Sequence, residues 1–158
     1  MRRGDLAEFV GALEAPVERF VREAGLRLVL LINESGQVLA QRGFARALDV
    51  MGVAALGAGI HASSKALAEL LGMRGFGHLH QGGSQAQVFI GPFRTPAEDL
   101  IVIAVFGEDS SIGLVQVFFA EFVQQVAALP GWQEIRPTAD AAAFERDLEA
   151  GLKTVFGG

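Results

Sequence analysis

The sequence predicts an α+β fold: a five-stranded antiparallel sheet with helices in the order α-β-β-α-β-β-β-α, followed by a C-terminal helix. Two observations lead to this prediction. Segments with apolar residues three or four positions apart, typical of amphipathic helices, alternate with short β-type runs bounded by turn residues. The chain also has 158 residues, 51% of them hydrophobic, which is enough for one domain with a substantial core.

Composition excludes several classes of protein. Thirteen Lys and Arg against eighteen Asp and Glu give a net charge of −5, which argues against a nucleic-acid partner. The absence of Cys excludes a disulfide scaffold, a thiol nucleophile and a Cys-ligated metal. The longest apolar runs, such as residues 28–32, fall far short of the roughly 20 residues that cross a bilayer. The first thirty residues carry charged side chains with no uninterrupted apolar run of the kind found in a secretory signal. We therefore expect a cytoplasmic protein that has no membrane partner.

The first predicted elements are a helix and a hairpin. Apolar residues at helical spacing predict a helix over residues 5–24, with Pro16 as a position for a kink and Gly25 as the C-cap. Residues 26–32 and 37–43 read as two short strands. The tight four-residue turn between them predicts a β-hairpin.

The middle of the chain predicts one long helix and three more strands. The helix covers residues 48–72, with Asp49 as a cap or first-turn acid. The strands cover residues 76–81, 85–90 and 100–106. The Pro- and Gly-containing stretch before the last strand predicts a loop over residues 91–96.

The remaining elements are helical. Ser110 or Ser111 caps a helix that ends near Leu129, where Pro130 and Gly131 stop it. The chain is thus divided into a domain over residues 1–129, a linker over residues 130–137 and a C-terminal helix over residues 138–158.

Residues that could carry chemistry are few. His78 and His80 share one face of a predicted strand and could bind a metal, but no third ligand stands near them in the sequence. Glu108 and Asp109 precede a helix, where acids are expected for capping. No phosphate-binding loop and no set of nucleophile, base and oxyanion donors is recognisable. We therefore predict no metal, no cofactor and no catalytic site.

The predicted helix over residues 48–72 has three distinct faces. The predicted core stripe is Val53, Leu56, Ile60, Leu67 and Leu71. A stripe of small residues, which would let another helix approach closely, is Ala55, Gly59, Ala62 and Ala66. The predicted outer face is Ala54, Gly57, Ala58, His61, Ser64, Lys65 and Ala68.

This helix predicts contact with another protein molecule. No charged residue occurs between Val50 and Ser64, although a helix with a face in water normally carries charge. Burial inside a monomer is the alternative, but a single sheet covers only one side of a helix. An open sheet also has edge strands with unpaired backbone groups that a second strand would satisfy. A homodimer answers both problems.

The order and spacing of four segments carry a resemblance to a known family. They are residues 30–40 (LLINESGQVLA), residues 66–72 (ALAELLG), residues 80–82 (HQG) and the apolar strand with its acid–Ser–Gly turn over residues 100–113. The chain resembles the Roadblock/dynein light chain family, and within it the bacterial MglB-type regulators of gliding motility and cell polarity. The resemblance covers roughly residues 7–129.

The resemblance implies a homodimer in which the third strands pair and the long helices lie side by side. It implies that the helix pair binds a Ras-like small GTPase of MglA type and stimulates its GTP hydrolysis by remodelling the GTPase's own switch region. The residues that would face the GTPase are Ala54, Ala58, His61 and Lys65. The dimer residues would be Ala55, Gly59, Ala62 and Ala66, with Phe76, His78 and His80 on the pairing strand.

Two other functions remain open at this point. A Roadblock scaffold would bind a GTPase or another partner without accelerating hydrolysis. A small-molecule sensor would use a pocket between sheet and helix, and would show a roomy cavity where the other two functions predict a filled core and an exposed apolar platform.

Overall fold

The computed structural model describes residues 3–43, 49–75 and 77–132, with side chains from residue 7 onward. Four helices lie in these residues: α1 (Arg3–Ala12), α2 (Glu14–Ala24), α3 (Val50–Leu70) and α4 (Ile112–Ala127). The strands are β1 (Leu28–Asn33), β2 (Val38–Gly43), β3 (Leu79–Gly82), β4 (Gln87–Arg94) and β5 (Asp99–Phe106). The predicted C-terminal helix over residues 138–158 lies outside the described residues.

The strands form one five-stranded sheet in the order β2-β1-β5-β4-β3, and every neighbouring pair is antiparallel. This arrangement of sheet and helices confirms the predicted α+β fold. Because α3 follows β2 at one edge and precedes β3 at the other, it carries the chain across the whole sheet.

Helices cover both faces of the sheet. Residues Leu28, Leu30 and Ile32 of β1 join the core cluster beneath α3. Their neighbours Val29 and Leu31 join a larger cluster on the other face, under α2 and α4. Every residue of β1 is therefore buried, as expected for a strand covered on both sides.

The predicted helix over residues 5–24 is two helices, and the break comes before the expected kink. Pro16 has no N–H to donate to the carbonyl of Ala12, and its ring crowds that carbonyl, so α1 ends at Ala12 and α2 starts at Glu14. Leu13 lies at the break, and its carbonyl accepts from the N–H of Val17 at 3.2 Å. Gly25 is confirmed as the C-cap, with a left-handed backbone at φ 66°.

The predicted loop over residues 91–96 is wrong, because β4 continues to Arg94. Pro92 lies beyond the four residues of β3 that pair with β4, so the strand has a single neighbour there, and an edge position tolerates Pro. The turn comes later, where the hydroxyl oxygen of Thr95 accepts from the N–H of Glu98 at 2.9 Å.

Both long helices are capped as the sequence predicts. Asp49 precedes α3 and its carboxylate accepts from the N–H of Gly52 at 3.0 Å. Of the two serines before α4, Ser111 is the cap and accepts from the N–H of Leu114 at 3.2 Å. Ser110 instead donates its hydroxyl to the carbonyl of Ala24, which ties α4 to α2.

Trp132 closes the core at the end of the described chain. It is buried, packs edge-on against Phe9 of α1 with ring centroids 4.6 Å apart, and donates its indole N–H to the carbonyl of Val126 at 3.0 Å. The start of the predicted linker is thus packed against the domain.

Candidate interaction surface

The face of α3 that lies on the sheet carries small residues. Ala54 and Ala58 are buried, and Gly57 lies so close to the sheet that a Cβ there would be 2.3 Å from Cδ1 of Ile103. The strands beneath carry large branched side chains, so only residues as small as these let the helix approach. The face that the sequence predicts to be the outer one, with Ala54, Gly57 and Ala58, is therefore the one that packs on the core.

The predicted core stripe of α3 is wrong, because most of it points outward. Leu56 is 71% exposed, Ile60 40% and Leu67 49%, and Leu71 beyond the helix is exposed too. Of the predicted stripe, Val53 alone packs against the core cluster. Helical periodicity separates the faces of the helix but does not reveal which of them lies on the sheet.

The outward stripe forms what we call the apolar face of α3: Leu56, Gly59, Ile60, Ser63 and Leu67. These residues follow one another at helical spacing and line a shallow open groove of about 480 Å³. The exposed large apolar residues of the described chain are concentrated in this region: Met51, Leu56, Ile60, Leu67, Leu70, Leu71, Met73 and Leu79, with only Leu114 and Val117 elsewhere. An exposed apolar surface of this extent is typical of an interaction site.

Strand β3 continues this surface at the edge of the sheet. All four of its residues are exposed, and among the described strands it pairs only with β4. The opposite edge strand, β2, is packed against α2. The exposed edge strand β3 is thus the one beside the apolar face of α3, and its outer backbone groups have no strand partner among the described residues.

The sequence-predicted site residues divide into three groups. Ala54 and Ala58 were expected on the outer face of α3, and this is wrong because both are buried against the sheet. The four residues Ala55, Gly59, Ala62 and Ala66 are exposed, and their contact with a second copy stays a prediction. Phe76 lies outside the described residues.

His78 and His80 share a face, as predicted, but it is the face under α4. His78 stacks on Phe89 with centroids 5.1 Å apart, and His80 stacks on Phe106 at 6.0 Å. A second contact holds each ring, since His78 Nε2 lies 2.7 Å from the Gln116 amide nitrogen and His80 Nε2 lies 2.7 Å from the Gln87 amide oxygen. The two histidines therefore lie away from the apolar face of α3.

The β1–β2 turn packs against α3. The side-chain oxygen of Asn33 accepts from the N–H groups of Ser35 and Gln37 at 3.0 and 2.9 Å, which holds the turn closed. Gly36 has φ 82°, and a Cβ there would be 3.4 Å from the Cα of Ala55. Glycine thus suits both the backbone conformation and the close approach to the helix.

This turn places Glu34 beside two residues of α3, and we call the three side chains the Glu34 cluster. Glu34 Oε1 lies 3.6 Å from His61 Nε2 and 3.5 Å from Lys65 Nζ. The His61 side chain is only 14% exposed, and its Nε2 atom is buried without a hydrogen-bond partner among the described residues. Sequence reasoning selected His61 and Lys65 but missed Glu34, whose only signal was its place in the hairpin turn.

Further carboxylates lie near the Glu34 cluster, at the turn between β4 and β5. Burial, together with the negative charges of Glu34 and Asp99, raises the pKa of the Glu98 carboxyl above its ordinary value of 4.5. Asp99 lies 3.9 Å from Nε of Arg94 in an exposed pair. Carboxylates and cations therefore lie close together at this end of the sheet.

Other kinds of site are not found in the part of the chain described. Residues 3–43, 49–75 and 77–132 contain no group of three or more His, Cys, Asp or Glu placed to hold a metal ion. No helix among the same residues is long and apolar enough to span a bilayer.

The fold is shared with solved structures. MglB from Myxococcus xanthus superposes with a TM-score of 0.71 at 19% identity, over 82% of this chain and 94% of that one. The gliding protein mglB from Thermus thermophilus gives 0.65 at 27% identity, over 75% and 88%. A Roadblock/LC7 domain from Streptomyces avermitilis gives 0.61 at 14% identity, over 71% and 92%. A scan against protein-family models and a search of curated proteins give no match.

These similarities confirm the resemblance that the sequence indicates. The solved structures that the chain is similar to are MglB and Roadblock/LC7 domain proteins, and they support a Roadblock/MglB-like family for it.

Proposed function

From this Roadblock/MglB-like fold, we propose that the chain is a homodimeric regulator that binds a Ras-like small GTPase of MglA type and stimulates its GTP hydrolysis. The observation that carries the proposal is the exposed apolar face of α3 beside the exposed edge strand β3. The similarity to MglB at 27% identity supports a regulator of gliding or polarity rather than an enzyme with its own substrate.

A second copy of the chain is the partner that fits the apolar face of α3. A two-fold axis beside β3 would bring the same strand and the same helix face of each copy together, as in an isologous interface. The small residues Ala55, Gly59, Ala62 and Ala66 leave room for two helices to approach closely. Pairing of the two β3 strands would satisfy the backbone groups at the open edge.

The Glu34 cluster is our choice for the contact with the GTPase. It lies beside the β1–β2 turn, on the flank of α3 that remains polar, and Lys65 is half exposed there. Of the four residues that the resemblance implies would face the GTPase, His61 and Lys65 remain in the proposal. Ala54 and Ala58 are excluded because they are buried.

Stimulation would work through the GTPase's own residues. Phosphoryl transfer requires mainly positioning and charge stabilisation, so a regulator accelerates it by holding switch residues of the GTPase in place. The partner GTPase is a cytoplasmic protein in this proposal, and we place the chain there with it.

Single-turnover GTP hydrolysis by an MglA-type GTPase, with and without excess of this chain, tests the proposal. We expect acceleration by orders of magnitude, kept by Val117→Asp and lost in Leu56→Asp, because both residues are exposed but only Leu56 lies on the apolar face of α3. Binding of the GTP-loaded form without acceleration would instead establish a scaffold. Absence of binding to either nucleotide form would overturn the GTPase partner.

A reversal of charge tests the docking contact separately. We expect Lys65→Glu to weaken binding of the GTPase and Arg42→Glu to leave it unchanged. Arg42 is an exposed cation on β2 that pairs with Glu18 of α2. Equal losses in both variants would indicate a long-range charge effect and would remove the Glu34 cluster from the contact.

A further inference from the structure

A pocket of about 200 Å³ lies between the C-terminal half of α3 and strands β3 and β4. Its apolar lining residues, which we call the floor, are Ile60, Leu79, Ile90 and Pro92. Pockets for drug-sized ligands measure roughly 300–1,000 Å³, so this one suits a smaller molecule. It differs from the roomy internal cavity expected of a sensor domain because it opens at the surface.

The polar lining of the pocket, which we call the rim, includes three cations. Lys65, Arg74 and Arg94 line it, with Asp99 as the one carboxylate among its lining residues. Glu34 lies 3.5 Å from Lys65 and Asp99 lies 3.9 Å from Arg94, so the positive excess among these five groups is one charge. Ser64 adds a hydroxyl group at the same rim.

His61 is the most enclosed polar group that lines the pocket. Its Nε2 atom is buried and makes no hydrogen bond within the described residues, although Glu34 lies 3.6 Å away. A buried polar atom without a partner costs free energy, so a rearrangement of the pocket wall that gives this atom a hydrogen bond would stabilise the protein.

The existing ion pairs at the rim are weak, so a phosphate group can replace their carboxylates. Lys65 lies 3.5 Å from Glu34, and Arg94 lies 3.9 Å from Asp99 with a side chain that is 93% exposed. Exposed pairs of this kind contribute about 0–1 kcal/mol. A phosphate accepts two parallel hydrogen bonds from a guanidinium group, which is a stronger arrangement.

We propose that this pocket binds a small organic phosphate monoester, with the phosphate at Lys65, Arg74 and Arg94 and the organic part on the apolar floor. The ligand would compete with Glu34 for Lys65 and would lie against Ile60, which also belongs to the apolar face of α3. Binding of this ligand would therefore change the affinity of the chain for the GTPase and for a second copy. The GTPase or the second copy would in turn change the affinity for the ligand by the same factor.

Titration of the protein alone with phenyl phosphate, followed by amide and imidazole NMR signals at constant ionic strength, tests the site without any GTPase. We expect saturable shifts at His61, Ser64 and Ile90. We also expect Arg94→Gln to weaken binding about tenfold, since it removes a charge-assisted bidentate contact. Its matched control is Arg42→Gln, the same change at an exposed arginine outside the pocket.

Three results would overturn the proposal. Shifts that do not saturate, or equal weakening in Arg94→Gln and Arg42→Gln, would mean a general charge effect and no site. Equal affinity for inorganic phosphate would mean that the apolar floor takes no part and that the ligand has no organic portion. Because no GTPase is present, none of these results bears on the proposed regulation of hydrolysis.

Discussion

Replacing Gly57 with Ala tests the orientation of α3 on the sheet. The new Cβ would lie 2.3 Å from Cδ1 and 3.2 Å from Cγ1 of Ile103, which is itself buried, so the helix must lift or the isoleucine must leave its rotamer. Overpacking of this kind costs about 1–3 kcal/mol. Exchange of a helical Gly for Ala contributes about 1 kcal/mol in the other direction. We therefore expect the free energy of unfolding to fall by about 0–2 kcal/mol.

Gly113→Ala is the matched control, because Gly113 is a helical glycine of α4 that lies outside both proposed interfaces. A Cβ there meets nothing within 4 Å, so the gain in helix propensity remains and the free energy of unfolding should rise by about 1 kcal/mol. The difference between the two variants isolates the packing cost of about 1–3 kcal/mol. Urea unfolding followed by circular dichroism at several protein concentrations measures it and separates any contribution of dimerisation. Equal stabilisation by both substitutions would show that Gly57 does not face the sheet, and our orientation of α3 would be refuted.

Three further predictions concern the interface, the acidic turn and the core. Leu56 is 71% exposed, so burying it in a dimer contributes about 1–2 kcal/mol per copy. Leu56→Ala should therefore raise the dimer Kd about 30- to 1,000-fold, as measured by analytical ultracentrifugation. A change in Kd no larger than that of Val117→Ala would contradict this. Because burial first, and then neighbouring charge, raises the pKa of Glu98 in the folded state, its contribution to stability is present below pH 4.5 and is lost as the pH rises through the folded pKa. Glu98→Gln should thus flatten the dependence of Tm on pH and raise Tm at neutral pH, whereas parallel curves for the two proteins would count against it. Trp132→Phe removes the hydrogen bond to the Val126 carbonyl and should lower the free energy of unfolding by about 1 kcal/mol in urea, an expectation that an unchanged midpoint would rule out.

Much of the fold follows from local patterns in the sequence. The amphipathic spacing of residues 5–24 and 112–129, the turn residues between β1 and β2, and the caps at Gly25, Asp49 and Ser111 all predict elements that the structure contains. Each of these signals depends on residues only a few positions apart, which is why they can be read without tertiary contacts.

Two of the errors arise where the structure depends on a neighbour in space that is distant in sequence. Pro92 reads as a turn residue, yet it lies inside β4 because the short β3 leaves that position at an edge. Glu34 reads as a turn acid, and only packing of the hairpin on α3 brings it to His61 and Lys65.

The sequence by itself determined that α3 has three faces, one rich in leucine and isoleucine and two with small residues. Only the tertiary structure decided which of them lies on the sheet. Large branched residues such as Ile32 and Ile103 already fill the layer beneath the helix, so the face with Ala54, Gly57 and Ala58 is the one that fits there. Leu56, Ile60 and Leu67 are left on the outside, where they form the surface from which the proposed function follows.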